Sequence, residues 1–241
     1  MHPKIVKYID RHMGNAMKGN VTRICKMLEK NPEALLVDLG CDDGRITMQF
    51  CQAVGTQNVH GVEYSETERT RLACEKGVKI RYADLNIEIP FDDNTVDVIV
   101  SNQVIEHLHK PAQFIREIKR VLKPGGYAVV STENAASWHN IFSLVMGWQM
   151  FSSTCFCEKA GCGNPLALWG QKDSDGEDPM GHLIIFSIPG LVELAKYFGF
   201  NVESKGASGY YPLPYWFANI DKRHGHYISI KARKPIEDTT E

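Results

Sequence analysis

The apolar residues of this chain fall into two rhythms: short continuous runs, and stretches with one apolar face per helical turn. Over residues 4–30, Ile5, Tyr8, Ile9, Val21, Ile24, Cys25 and Leu28 are spaced helically, with breaks at Gly14-Asn15 and Gly19-Asn20, so two short helices are predicted. After Asn31-Pro32, the run ALLVDLG is continuously apolar and ends at a glycine, as a strand buried on both faces does. The pattern then repeats: a helix from Gly44 to Val54, the strand NVHGVE at 58–63, a helix from Glu66 to Lys76 and the strand VKIRYAD at 78–84. The turn FDDNT leads into a fourth strand, VDVIVSN at 96–102. In PAQFIREIKRVL, Phe114, Ile115, Ile118, Val121 and Leu122 share a face; Pro111 starts that helix, Lys123-Pro124-Gly125-Gly126 stops it, and YAVVST follows as a fifth strand.

Strands alternating with helices through short turns predict an α/β fold, a doubly wound, mostly parallel sheet with helices on both faces and right-handed crossovers. The rhythm fails after Glu133. A helix-like run with Trp138, Ile141, Phe142, Leu144, Val145 and Trp148 leads into a long aperiodic stretch at about 150–181, so residues 135–181 read as an insertion of the kind that forms lids. SIPGLVELAKYFGF restores order as a helix with Gly199 at its end, and NVESKGA and HYISIKA complete a seven-stranded sheet, with the aromatic turn GYYPLPYWF between them. The organisation expected is an N-terminal helical lead-in over 1–33 and one domain over 34–241 that carries the insertion.

Composition narrows the function. With 241 residues, 43% of them apolar and 23% charged, the chain can bury one sizeable core. A formal charge of -2 gives no electrostatic footprint for a phosphate backbone, so no nucleic acid partner is expected. The first residues lack a signal-peptide run and no stretch is long enough for a membrane span. Seven cysteines, with Cys41, Cys51 and Cys74 inside periodic segments, read as reduced thiols and place the protein in the cytoplasm.

The loop VDLGCDDG at 37–44 sits between the first strand and first helix, at the edge where open α/β sheets meet ligands. A dinucleotide fingerprint needs G-x-G-x-x-G, but here the three places are Gly40, Asp42 and Arg45. A carboxylate at Asp42 repels a pyrophosphate, which disfavours an NAD-dependent oxidoreductase. An ammonium or sulfonium beside Asp38 and Asp42 is instead attracted, and S-adenosylmethionine carries both groups without a phosphate. Glu63, ending the second strand, can accept from two ribose hydroxyls. Asp84-Leu85, ending the third, offers a carboxylate for an adenine amino group and a backbone N–H for a ring nitrogen.

Taken together, VDLGCDDG, VHGVE, YADL, FDDNTVDVIVSNQVIEHLHKP and LKPGGYAVVST resemble the class I S-adenosylmethionine-dependent methyltransferases, in particular the small-molecule O-methyltransferases, from about Leu35 to Thr132. The resemblance implies a Rossmann-like methyltransferase fold and S-adenosylmethionine as cofactor. It assigns Gly40 and Gly44 to the methionyl part, Glu63 to the ribose, and Asp84 and Leu85 to adenine. Asp42 stands where the family has its middle glycine. Asn102 and Gln103, after the fourth strand, fall where they can touch the methionyl group or simply cap a short helix of Val104 to Leu108.

Methyl transfer from a sulfonium needs alignment, exclusion of water and a deprotonated nucleophile. Glu106-His107 follows the fourth strand, and an imidazole has the pKa to take a hydroxyl proton, so these two are the catalytic candidates. The run Gln103-Val104-Ile105-Glu106-His107 also resembles the E-V-I-E-H of ubiquinone-type and small-RNA O-methyltransferases, whose second histidine helps hold a divalent metal. His182 matches that histidine's context, while the neutral Gln103 favours a metal-free site. Cys155, Cys157 and Cys162 could bind zinc but lack a fourth ligand and the usual spacing, so incidental cysteines are the favoured reading. Trp138, Trp148, Trp169, Tyr210, Tyr211, Tyr215 and Trp216 could line a pocket for the acceptor. The expectation is O-methylation of a small or lipid-like molecule; the rival is a non-catalytic module that binds the cofactor only.

Overall fold

A computed structural model describes residues 3–154, 161–167, 181–210 and 215–236. Strands β1 (Leu36–Leu39), β2 (Val59–Glu63), β3 (Lys79–Tyr82), β4 (Val96–Asn102), β5 (Leu122–Glu133), β6 (Asn201–Ser208) and β7 (Tyr227–Arg233) form one sheet in the order β3-β2-β1-β4-β5-β7-β6. The first five pair in parallel, and β7 runs antiparallel to both its neighbours. The sequence rhythm therefore led to the right fold class. Period-two alternation splits each continuous run between two cores. Val98 and Val100 face helices α1 (Pro3–Met27), α2 (Thr47–Val54) and α3 (Glu68–Glu75), whereas Ile99 faces α4 (Pro111–Val121). A further helix, α5 (Trp138–Val145), follows β5, and α6 (Ile188–Tyr197) joins α4 on its face. On α4, Phe114, Ile115, Ile118 and Val121 are almost fully buried, each stabilising the fold by roughly 1.5–3 kcal/mol.

Three local expectations are corrected. The N-terminal segment is one helix, not two. Each interior glycine costs about 1 kcal/mol relative to alanine, but burial of Ala16, Val21, Ile24 and Met27 outweighs that, and Gly19 lies against Ser208 of β6. The end of α1 is tied down as well: the Glu29 N–H donates to the Tyr127 hydroxyl at 2.8 Å, and the Glu29 carboxylate pairs with Lys231 and Arg233 of β7. The first helix after the glycine loop begins at Thr47 rather than Gly44, because the loop itself occupies the intervening residues. Finally, Val104 to Leu108 form only a 3-10 turn at Ile105–His107. Pro111 disfavours helical geometry just before it, and the Glu106 carbonyl is already taken by the N–H groups of Leu183 (2.7 Å) and Ile184 (3.2 Å).

Of the insertion, α5 and a 3-10 turn at Phe151–Ser153 are seen. Residues 155–160 and 168–180, with Cys155, Cys157 and Trp169, lie outside the described residues, as does Tyr211. Among the described residues, no helix is long and apolar enough to cross a membrane.

Candidate active site

Strands β1 and β4 are neighbours whose connections leave in opposite directions, so a crevice opens between their carboxyl ends. The glycine loop lines it. Gly40 has φ 77° and a Cβ there would sit 2.5 Å from Val104, so only glycine lets the turn close over β4. Gly44, at φ 72°, lies 3.0 Å from Ala73 by the same measure and seats the loop on α3. A cavity of about 330 Å³ follows, lined among others by Met17, Asp38, Gly40, Asp42, Asn102 and Gln103.

Asp38 is buried and accepts from the Thr47 hydroxyl at 2.6 Å; burial pushes its carboxyl up to about 7, with nearby Glu63 adding to the rise. Glu63 accepts the Asp42 N–H at 2.6 Å, and its carboxyl is also raised by burial. That bond bridges the glycine loop to the end of β2. The Asp42 side chain itself is half exposed and pairs with Arg69 of α3, whose hydrogen bond holds the carboxyl below its usual range. The loop is thus less anionic than its sequence suggests. Asp84 closes a turn by accepting from the Asn86 N–H at 2.8 Å, while Leu85 is buried in the α4 core. Glu63, Asp84 and Leu85 stand at neighbouring strand ends but do not line the cavity that gathers Asp38, Gly40, Asp42, Asn102 and Gln103.

At the end of β4, Asn102 accepts a hydrogen bond from Asn20 Nδ2 at 2.8 Å. Asn20, fully buried on α1, is a residue the sequence reading missed; its signal was a polar side chain one turn before Ile24 on the apolar face. Gln103 has φ 60°, rare for a non-glycine residue, and its N–H donates to the Ser131 carbonyl at 2.9 Å. Its side-chain Nε2 is buried with no hydrogen-bond partner among the described residues. An orphaned donor and a buried carboxylate facing one cavity fit a ligand that carries both an acceptor and a cation.

The next turn brings Glu106, His107 and His182 together: one ligand atom from each lies within 4.8 Å of the others. Glu106 is fully buried with neither carboxylate oxygen in a hydrogen bond among the described residues, and burial raises it to about 8. The His107 and His182 rings are 4.8 Å apart between centroids. His107 Nδ1 lies 3.3 Å from the Gly181 carbonyl and His182 Nδ1 2.6 Å from that of Ser152, contacts that aim the rings. Burial and then His182 depress the His107 pKa, which keeps its imidazole neutral.

Glu133 ends β5 and was also missed, although it ends its strand as Glu63 does. Its oxygens lie 3.6 Å from His182 and 3.7 Å from His226; burial opposes ionisation, but these histidines hold the carboxyl at about 2. His226 faces His139 of α5, with ring centroids 4.5 Å apart. Of the aromatic candidates, Trp138 donates from Nε1 to the Tyr210 hydroxyl at 2.6 Å, and Trp148 packs edge-on against Phe142.

A glycine loop, an acidic end to β2 and a polar end to β4 around a switch point define a cofactor-binding open α/β sheet. Residues 37–130 match the family model described as a methyltransferase domain. An uncharacterized methyltransferase of Schizosaccharomyces pombe is 34% identical over 117 residues, 44% of this chain and 41% of that protein. A ubiquinone biosynthesis O-methyltransferase of Rickettsia conorii is 31% identical over 119 residues, 47% of this chain and 41% of that one. The match thus spans about two fifths of the length of these curated relatives. The crystal structure of an S-adenosylmethionine-dependent methyltransferase from Mesorhizobium loti shares the fold, with a TM-score of 0.59 and 17% identity over 88% of this chain and 96% of that one. Residues 37–130 are therefore similar to a methyltransferase domain, and the chain shares the fold of that S-adenosylmethionine-dependent methyltransferase.

Proposed function

We propose that this protein methylates a hydroxyl group of a small or lipid-like acceptor, using S-adenosylmethionine bound at the β1 and β4 ends. The observation that carries this reading is the neutral, half-buried His107, four residues beyond Gln103 of the donor cavity, whose side-chain Nε2 has no hydrogen-bond partner among the described residues. When bound, the cofactor supplies an activated methyl group. Asp38 and the glycine loop hold its amino-acid end, and Glu63 the ribose. His107 would take the proton from the acceptor hydroxyl as that oxygen is methylated. Burial around Glu106 and His107 keeps water from competing for the methyl group. The ubiquinone biosynthesis name of the Rickettsia relative supports an O-methylated acceptor.

Glu106 favours a second reading of the same site. A buried carboxylate with no hydrogen-bond partner among the described residues calls for a counter-charge or a proton, and with His107 and His182 it forms a carboxylate and imidazole set suited to a divalent cation. Such a cation would lower the pKa of the acceptor oxygen.

Labelled-methyl transfer, screened over phenols, sugars, lipids, tRNA and proteins, tests the function. Alkali-stable label in a hydroxylated small molecule is the expected result. Cofactor binding without transfer to any acceptor would instead indicate a binding module. Repeating the assay with a chelator and then added magnesium or manganese separates the two versions: loss and rescue support the cation, unchanged turnover supports His107 as a plain base.

A further inference from the structure

The donor cavity has two ends of opposite hydrogen-bonding character. At β1 stands the Asp38 carboxylate, an acceptor; at the end of β4 stand the side-chain amides of Asn102 and Gln103. An amide can offer either its oxygen or its NH2 group, so something must decide which one faces the ligand. For Asn102 that decision is made from α1. Asn20 Nδ2 donates to Asn102 Oδ1 at 2.8 Å, which removes the oxygen from the cavity side and leaves the NH2 group to it. Asn20 is itself oriented by Ser131, whose hydroxyl shares its proton between Asn20 Oδ1 at 2.9 Å and the Ile228 carbonyl at 3.0 Å. The neighbouring Gln103 also presents a donor, the buried Nε2, which has no partner among the described residues.

We propose that Asn20 is a positioning residue that turns Asn102 so that, with Gln103, it forms a two-donor subsite for the amino-acid carboxylate of S-adenosylmethionine, opposite the ammonium at Asp38. The inference rests on the donor-site reading above. It makes α1, which lies outside residues 37–130 of the matched domain, a working wall of the cofactor site. Burial supports the assignment: Asn20 is 1% exposed, so its amide cannot turn to water and exchange partners freely. The subsite selects for a carboxylate, because two convergent donors are left unpaired by a ligand that lacks one.

The test compares binding of S-adenosylmethionine with binding of its decarboxylated form, by calorimetry at pH 8, in the full chain. The wild-type protein should prefer the carboxylated ligand by tenfold or more. In Asn20→Asp, the new carboxylate can only accept, so Asn102 must turn its NH2 group inward and its oxygen toward the cavity. Affinity for S-adenosylmethionine should then fall by tenfold or more while that for the decarboxylated ligand stays within about twofold. Asn20→Leu, which buries no new charge, should lose part of the preference and carries the decision if Asn20→Asp does not fold. Equal losses for both ligands mark a purely structural role and overturn the inference, as does a wild-type protein that binds both equally well. A wild-type protein that binds neither ligand overturns the donor-site reading, and this inference with it.

Discussion

The proposed donor and acceptor edges of the site use their carboxylates in opposite ways. On the donor edge each acid already has a local partner: Asp38 has Thr47, Asp42 has Arg69, Glu63 has the Asp42 N–H and Asp84 has Asn86. On the acceptor edge, Glu106 has no hydrogen bond among the described residues, and Glu133 stands between two histidines at 3.6 and 3.7 Å. The donor edge is shaped before any ligand arrives, while the acceptor edge keeps charge and proton capacity unspent. Changes to the first should alter affinity, and changes to the second should alter turnover.

The sharpest break of that division is His107→Ala. Turnover should fall about a hundredfold or more while S-adenosylmethionine affinity stays within twofold, measured by labelled-methyl kinetics and calorimetry. In the wild-type protein, turnover should fall as pH drops through the depressed His107 pKa, because the imidazolium cannot accept a proton. A loss confined to cofactor affinity would erase the boundary between the two edges.

Glu63→Ala should show the reverse pattern. It removes the acceptor that bridges β2 to the glycine loop, and cofactor binding should weaken by about 1–3 kcal/mol in calorimetry with folding retained. Unchanged affinity would remove Glu63 from the ribose site.

Asp38→Asn sharpens the comparison through pH. The folded-state pKa of Asp38, about 7, lies above the unfolded value of about 3.9, so the native state binds its proton more tightly. The stability this contributes is present below about pH 4 and is lost as pH rises toward 7. Thermal unfolding of Asp38→Asn should therefore depend less on pH between 4 and 7 than that of the wild-type protein, since asparagine can still accept from Thr47. An identical pH profile would mean that the carboxyl is not held in its buried environment.

The smallest effect belongs to Arg69→Ala. More than half of each side chain in the Arg69–Asp42 pair is exposed, so its loss should cost less than about 1 kcal/mol in a denaturant titration, less still at high salt. A larger, salt-independent loss would place the pair among the structural supports of the loop.

Chain order and side-chain chemistry alone determined much of this protein. The continuous runs at Leu36–Leu39 and Val96–Asn102 announced buried parallel strands, because only such strands need apolar residues on both faces. Gly40 and Gly44 announced a tight turn, and Glu63, Asp84 and Asn102 could be placed at strand ends because a strand ends where its apolar run does. What lay beyond reach were contacts between residues far apart in the chain. Nothing near Asn20 in sequence indicates that it meets Asn102, 82 residues away, or Ser131, 111 residues away. The two-helix expectation failed for the same reason, since local propensity penalises Gly14 and Gly19 while the packing that offsets them comes from β6 and the sheet face. Asp42 and Glu106 show the limit most plainly. In sequence they are two similar acids, one between Cys41 and Asp43 and one before His107; folding gives the first an arginine at the surface and buries the second with no hydrogen bond among the described residues, because pairing and desolvation are properties of three-dimensional surroundings.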